Sequence, residues 1–187
     1  TSDKEVFIGK MIPGRGAWLE FDTDKRDTLG VRVDRKRRQH ITGFLMALDV
    51  IENKEDAIEL LGDYPSVRNT IERDPDTTRE AALIDLYRKL RPGEPATVES
   101  ARNLVKQMFY TPKRYDLTKV GRYKVEQKLG RQYGEKDAES YTTEDDGMLR
   151  IEDMIDSIKY VIALHAGEDS FINNKGKEIP VRLDDID

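Results

Sequence analysis

The apolar residues of this chain pass from a period of two to helical steps near Ile41, and that change narrows what the chain can fold into. Residues 16–22 alternate, with Ala17, Leu19 and Phe21 on one side and Trp18, Glu20 and Asp22 on the other. Residues 29–35 alternate as well, and the polar stretch Asp22–Thr28 between the two runs is a turn. The pair reads as a hairpin whose buried side sets Leu19 and Phe21 against Val31 and Val33. Another alternating run, Glu5–Ile12, precedes it. From about Ile41 the steps lengthen to three and four, as on one face of a helix. Strands first and helices afterwards predict an α+β fold: a small antiparallel sheet, made from the first three strands and the C-terminal one, packed with about six or seven helices.

The helical part divides at its caps and breakers. Phe44, Leu45, Leu48 and Ile51 form the first stripe, and Ala57, Ile58, Leu60 and Leu61 a second after Asn53 as cap. A third short helix over 66–73 takes Ser66 as its cap. Thr77 or Thr78 opens the next, with Ala82, Leu83, Leu86, Tyr87 and Leu90 on one face and Pro92-Gly93 as its stop. Thr97 starts another through Ala101, Leu104, Val105 and Met108 until Pro112. Asp116 caps a helix in which Leu117, Val120 and Val125 face inward around Gly121. Residues 131–147 are polar and rich in glycine and acid, which predicts a mobile loop. Ile151–His165 is a last helix that Gly167 stops, and Asn173-Asn-Lys-Gly176 reads as a turn or hairpin before the strand-like Ile179–Asp187.

A period of two also places Trp18 on the polar side of the hairpin, with Arg32 and Asp34. A lone tryptophan is more often core than contact, and here the period argues against the core. Arg32, Arg35, Lys36, Arg37 and Arg38 set five cations within seven residues beside it. A flat indole among guanidinium groups can stack an unpaired base while the charges hold phosphates. A solvated strand end is the other reading. A second cationic group, Arg91, Lys113, Arg114, Lys119, Arg122 and Lys124, crowds around turns and helix ends in a chain of net charge −5. Cations gathered against the overall balance point to a polyanion partner.

Catalysis has less support. The two histidines, His40 and His165, are far apart in sequence and lack a triad around them; His165, in a last helical turn, suits the helix dipole. Gly14-Arg-Gly16 is too short to be a phosphate loop. There is no cysteine, which excludes a disulfide scaffold, a thiolate zinc site and a thiol nucleophile. Asp185 and Asp187 share a strand face and leave a weak divalent site open, while Asp184 points the other way. No apolar run reaches the roughly 18 residues that a membrane span needs.

Several motifs are distinctive as wording. Leu90-Arg-Pro-Gly-Glu-Pro95, the run from Arg114-Tyr-Asp-Leu-Thr-Lys-Val-Gly to Lys124, Leu129-Gly130, Gly16-Ala-Trp-Leu-Glu-Phe21, Val31-Arg-Val-Asp-Arg-Lys-Arg37 and the closing Asp184-Asp-Ile-Asp187 occur in this order. Together they closely resemble the lobe, or β2 domain, of the bacterial DNA-directed RNA polymerase β subunit, over nearly the whole chain. The short spacing after Arg38, where many relatives carry a longer insertion, resembles the actinobacterial type.

The resemblance implies a non-catalytic part of a nucleotidyltransferase that forms one wall of the downstream DNA cleft. Trp18 resembles the tryptophan that stacks on a non-template base, and Asp187 the aspartate that helps read a guanine edge. The arginine that completes that pocket in the family belongs to an upstream motif absent from this sequence. The DNA-contacting residues expected on these grounds are Trp18, Arg32, Asp34, Arg35, Lys36, Arg37, Arg91, Arg114, Arg122 and Asp187. No catalytic residue and no cofactor is expected in this segment, the magnesium of the whole enzyme belonging to the β′ subunit. Expected partners are DNA, the rest of β, β′, α, ω and a sigma factor, with transcription factors as further candidates and no membrane. The expected setting is cytoplasmic and nucleoid-associated. Two strand-like ends that could lie side by side fit one domain over 1–187 cut from a larger chain, although a trimmed small protein would look alike. A docking module for a transcription factor and a free-standing single-strand binder are the alternatives.

Overall fold

The computed structural model describes residues 6–13, 16–109, 124, 128, 150–174 and 176–181. Four antiparallel strands, β1 (Ile8–Met11), β2 (Leu19–Thr23), β3 (Leu29–Val33) and β4 (Gln39–His40), form one sheet in chain order. The predicted hairpin is β2–β3, in the register Leu19 opposite Val33 and Phe21 opposite Val31. All four side chains are buried, so the sheet has one apolar face and one polar face.

Six helices follow among the described residues: α1 (Ile41–Ala47), α2 (Asp56–Leu61), α3 (Pro65–Arg73), α4 (Arg79–Leu90), α5 (Val98–Phe109) and α6 (Ile151–Ala166). The main core joins Leu19 and Ile41 to Phe44, Leu45, Met46, Leu83, Phe109, Met154 and Ile158, all fully buried. Phe44 and Phe109 meet edge to face, with centroids 6.2 Å apart. No described helix is long and apolar enough to cross a membrane.

The fold class is α+β, but the fourth strand is not the one expected. Gln39–His40 takes that place beside β3, and the C-terminal segment Glu178–Pro180 (β6) instead pairs with Ser170–Ile172 (β5) in a separate two-stranded sheet. The reason is local. A turn around Asn173 brings β6 back onto β5 at little loop-closure cost, with the Gly176 amide donating to the Asn173 carbonyl at 3.0 Å. Tyr160 and Ala163 of α6 then cover Phe171 and Ile179 in a small core of their own.

Caps decide most helix boundaries. Thr78 accepts from the Ala81 amide at 3.2 Å and opens α4; Thr97 and Ser100 cap each other at 3.1 Å across the first turn of α5. Gly167 closes α6 at φ 73°, a left-handed conformation that a side chain would resist. Asn53 does not cap α2: its own backbone amide donates to Asp56, and the helix begins three residues later. Nor does Ser66 cap α3, because Pro65 occupies the first turn, where its missing amide hydrogen costs nothing. The expected helix after Asp116 and the expected loop over 131–147 lie outside the described residues, apart from Lys124 and Lys128.

Candidate nucleic-acid interface

The polar face of the hairpin is built around Trp18. Its ring is half-buried while its neighbours Ala17 and Leu19 are in the core, as the alternation requires. Two hydrogen bonds tie its backbone to the end of β3: the Trp18 amide donates to the Asp34 carboxylate at 2.8 Å, and the Asp34 amide donates to the Trp18 carbonyl at 2.9 Å. Asp34 thereby holds the base of the tryptophan.

The chain then turns sharply. Asp34 and Arg35 both have positive φ, 51° and 58°, and the Lys36 amide donates to the Val33 carbonyl at 3.0 Å, as in a type I′ turn. Aspartate tolerates this conformation; an arginine carries a penalty of about 1–2 kcal/mol there. The consequence is where the guanidinium goes. Arg35 Cζ lies 4.9 Å from the centroid of the Trp18 ring, and its Nε is 3.9 Å from Glu20. Both contacts are weak, because the Arg35 side chain is 69% exposed. An exposed cation–π contact is worth about 0.5–1 kcal/mol, and a loose surface ion pair about 0–1 kcal/mol.

The remaining cations have different surroundings. Lys36 donates to the Leu90 carbonyl at 3.3 Å, which docks the turn on the C-terminal end of α4 and brings it to the exposed Arg91. A cation at that end also meets the negative pole of the helix. Arg37 is exposed, and Arg32 Nε stands 3.8 Å from Asp22. Arg38 differs from the rest of the run: it lies over Gly30, bonded to Asp22 at 2.6 Å, to Asp24 at 3.4 Å and to the Thr28 carbonyl at 2.8 Å. Burial raises the pKa of Asp22 in spite of Arg38. Burial would raise Asp24 too, but hydrogen bonds from Thr28 and the charge of Arg38 outweigh it and lower that pKa. The run of five cations is therefore not one open patch, since Arg32, Arg35 and Arg38 each face a carboxylate of β2 or the β2–β3 turn.

The structure thus brings Trp18, Asp34, Arg35, Lys36 and Arg91 together, with Arg37 at the turn and Arg32 on the same face. Arg114, Arg122 and Asp187 lie outside the described residues, as does Asp185 of the candidate divalent pair. Sequence reasoning did not single out Glu20 as the partner of Arg35; its place opposite Arg32 follows once the hairpin register is fixed. His165 Nε2 stands 3.2 Å from Asp27 and edge-on to Phe7, a structural setting.

A second polar cluster had no signal in the sequence. Asp74 is buried and accepts from Thr42, Lys54 donates to its carbonyl at 2.8 Å, and Asp76 and Asp85 stand close by with Lys89 2.9 Å from Asp85. Gln39 and His40 abut it, and burial lowers the His40 pKa. Burial first, then the charges of Asp85 and Asp74, push Asp76 up to about 7. Among the described residues no three His, Cys, Asp or Glu side chains are placed to hold a metal ion.

The expected consequence is a pH dependence. A carboxyl whose folded pKa exceeds its unfolded value of 3.8 stabilises the fold while protonated, so its contribution is full below about pH 4 and is lost as pH rises through about 7. Urea midpoints should fall between about pH 5 and about pH 8, and Asp76→Asn should flatten that fall. Parallel pH curves for the two proteins would contradict the assignment.

Known proteins supply the context for this surface. The profile described as "RNA polymerase Rpb2, domain 2" matches residues 3–171. Over all of the chain, the sequence is 51% identical to the "DNA-directed RNA polymerase subunit beta" of Streptomyces avermitilis and 49% identical to that of Streptomyces coelicolor. It is 48% identical to that of Renibacterium salmoninarum. The chain spans only 15% to 16% of the length of these relatives, which are all actinobacterial.

Proposed function

The chain belongs to the family of RNA polymerase Rpb2, domain 2, as a segment of a bacterial β subunit, and from that premise we propose that it is the lobe that lines the downstream DNA cleft and contacts unpaired non-template bases. The observation that carries the reading is the half-buried Trp18 on the polar side of the hairpin just before β2, set beside a cationic turn that docks next to Arg91. An indole in that setting stacks a base at about 1–3 kcal/mol without regard to its identity, and the surrounding cations hold the strand. Arg37, Arg91 and Lys36 are the phosphate contacts; Arg32 shares its charge with Asp22. Asp187, Arg114 and Arg122, outside the described residues, are further DNA contacts on the strength of the family resemblance alone. In this reading the segment holds no cofactor, polymerisation belongs to the whole enzyme with magnesium in β′, and the partners are DNA, the rest of β, β′, α, ω and sigma.

A second contact is favoured by the edge strand. Ile8 and Ile12, 54% and 52% exposed, stand at alternate positions of β1 and its end, on the face that carries Lys10. Exposed aliphatic residues in that pattern suit packing against further protein, here another part of the polymerase or a transcription factor.

Charge reversal tests the DNA reading. Non-specific binding by this chain should fall in the range of about 10⁻⁴ to 10⁻⁶ M and weaken steeply with salt. Arg37→Glu with Arg91→Glu should lower both the affinity for single-stranded DNA and the slope of log K against log salt, by about 0.7 per lost contact. A double variant that follows the wild-type curve across the titration would mean that these cations are only solvated.

A further inference from the structure

We propose that Arg35 is a placeholder on Trp18: its guanidinium covers one face of the indole until an unpaired base takes that face, and it then transfers to the phosphate of the incoming strand. The proposal rests on the base-stacking reading above and assigns to Arg35 a positioning role rather than that of a fixed phosphate clamp.

Three observations carry it. The guanidinium is 4.9 Å from the ring centroid, well inside the range at which a cation occupies an aromatic face. The turn does not explain an arginine here, because a second consecutive positive φ favours glycine or asparagine, and Arg35 holds it at 58°. What the arginine gains is the ring and a loose approach to Glu20 at 3.9 Å, with most of its side chain in water. That hold is weaker than a base stack, so a base can replace it.

The backbone around it is fastened on both sides. Asp34 is bonded to the Trp18 backbone in both directions, and Lys36 is bonded to the Val33 and Leu90 carbonyls. The Arg35 side chain, 69% exposed, is held only by the ring and by Glu20, and it leaves a turn whose neighbours are Lys36 and Arg37. The displaced charge therefore stays where a strand entering over Trp18 carries its phosphates. No bond is made or broken; the exchange is one stacking partner for another.

Trp18 is the single tryptophan of the 187-residue chain, so its emission reports on this site alone. In the absence of DNA, Arg35→Ala should raise the acrylamide quenching constant by about twofold or more, because the ring face under the guanidinium is uncovered. Binding of oligothymidylate, followed by quenching of the same emission, is then titrated against salt. Extrapolated to about 1 M salt, where the counterion term vanishes, Arg35→Ala should bind about two- to fivefold more tightly than wild type, while its salt slope drops by about 0.7. Arg35→Lys keeps the charge without the planar guanidinium, so its quenching should fall between wild type and the alanine variant while it retains the wild-type slope. Arg35→Gly, which relieves the positive φ, should reproduce the alanine result in a turn of undiminished stability.

Unchanged acrylamide quenching would overturn the proposal, since the guanidinium would not be covering the ring. Weaker binding by Arg35→Ala at the high-salt limit would also overturn it, leaving Arg35 as a fixed support behind the indole. If acrylamide behaves as expected but oligothymidylate never quenches wild-type Trp18, the base-stacking reading itself fails and the exchange fails with it. That result is distinguishable because the covering contact survives.

Discussion

Arg38→Ala should destabilise the chain by about 2–4 kcal/mol in urea denaturation, whereas Arg37→Ala, one residue away, should change stability by no more than about 0.5 kcal/mol. The contrast comes from partners. The Arg38 side chain is only 18% exposed and is bonded to Asp22, itself 14% exposed, as well as to Asp24 and the Thr28 carbonyl and hydroxyl. Removing it leaves a half-buried carboxylate with only the more distant Arg32, 3.8 Å away, which costs more than the pair itself contributes. Burial already raises the Asp22 pKa, and loss of Arg38 raises it further. The deficit of the variant should therefore grow as pH rises and shrink as acid protonates Asp22.

Gly30 offers an independent check, because a Cβ there would stand 2.2 Å from Arg38 Nε. Gly30→Ala should displace the guanidinium and cost up to as much as Arg38→Ala, and the double variant should cost little more than either. If the two effects add, or if Arg38→Ala behaves like Arg37→Ala, then Arg38 is an ordinary surface cation and the account of this half-buried pair is wrong.

Trp18→Ala should divide differently between fold and function. A buried tryptophan loses about 3–5 kcal/mol on truncation, but Trp18 stands on the polar side of the hairpin just before β2, only partly buried, and should lose less than about 2 kcal/mol. Placed in a whole polymerase, the same substitution should weaken contacts in the open complex by about 1–3 kcal/mol, or roughly 5- to 150-fold in lifetime. On duplex DNA without an unstacked base the defect should vanish. Thermal unfolding of the isolated chain and the lifetime of the assembled open complex are the two measurements. A large drop in Tm with an unchanged lifetime would return Trp18 to the core.

The site was legible in the sequence to the depth of its local geometry. Alternation along residues 16–22 assigned Trp18 and Glu20 to the polar side, and burial of Ala17, Leu19 and Phe21 agrees. The same reasoning treated Arg32 through Arg38 as one basic group, because the sign of φ and the partner of each cation cannot be read from spacing. Arg38 meets Asp22 only because β2 and β3 pair, and Lys36 meets the Leu90 carbonyl 54 positions away. The acidic cluster around Asp76 is likewise assembled from α1, the α3–α4 connection and α4, which are remote in sequence.

What the amino-acid sequence determined by itself was the order of strands and helices, the inward faces of both, most of the stops and the family. Each of these depends on residues within a turn or two of one another, where periodicity and caps act directly. The tertiary structure alone decided that Gln39–His40 completes the sheet while the C-terminal strand folds back onto Ser170–Ile172. It also decided that Arg35 covers Trp18 and that Arg38 is a half-buried structural cation. The physical reason is that an edge strand can accept any pairing of suitable length, and a long cation can reach any carboxylate within about 6 Å; which one it takes depends on how the elements pack.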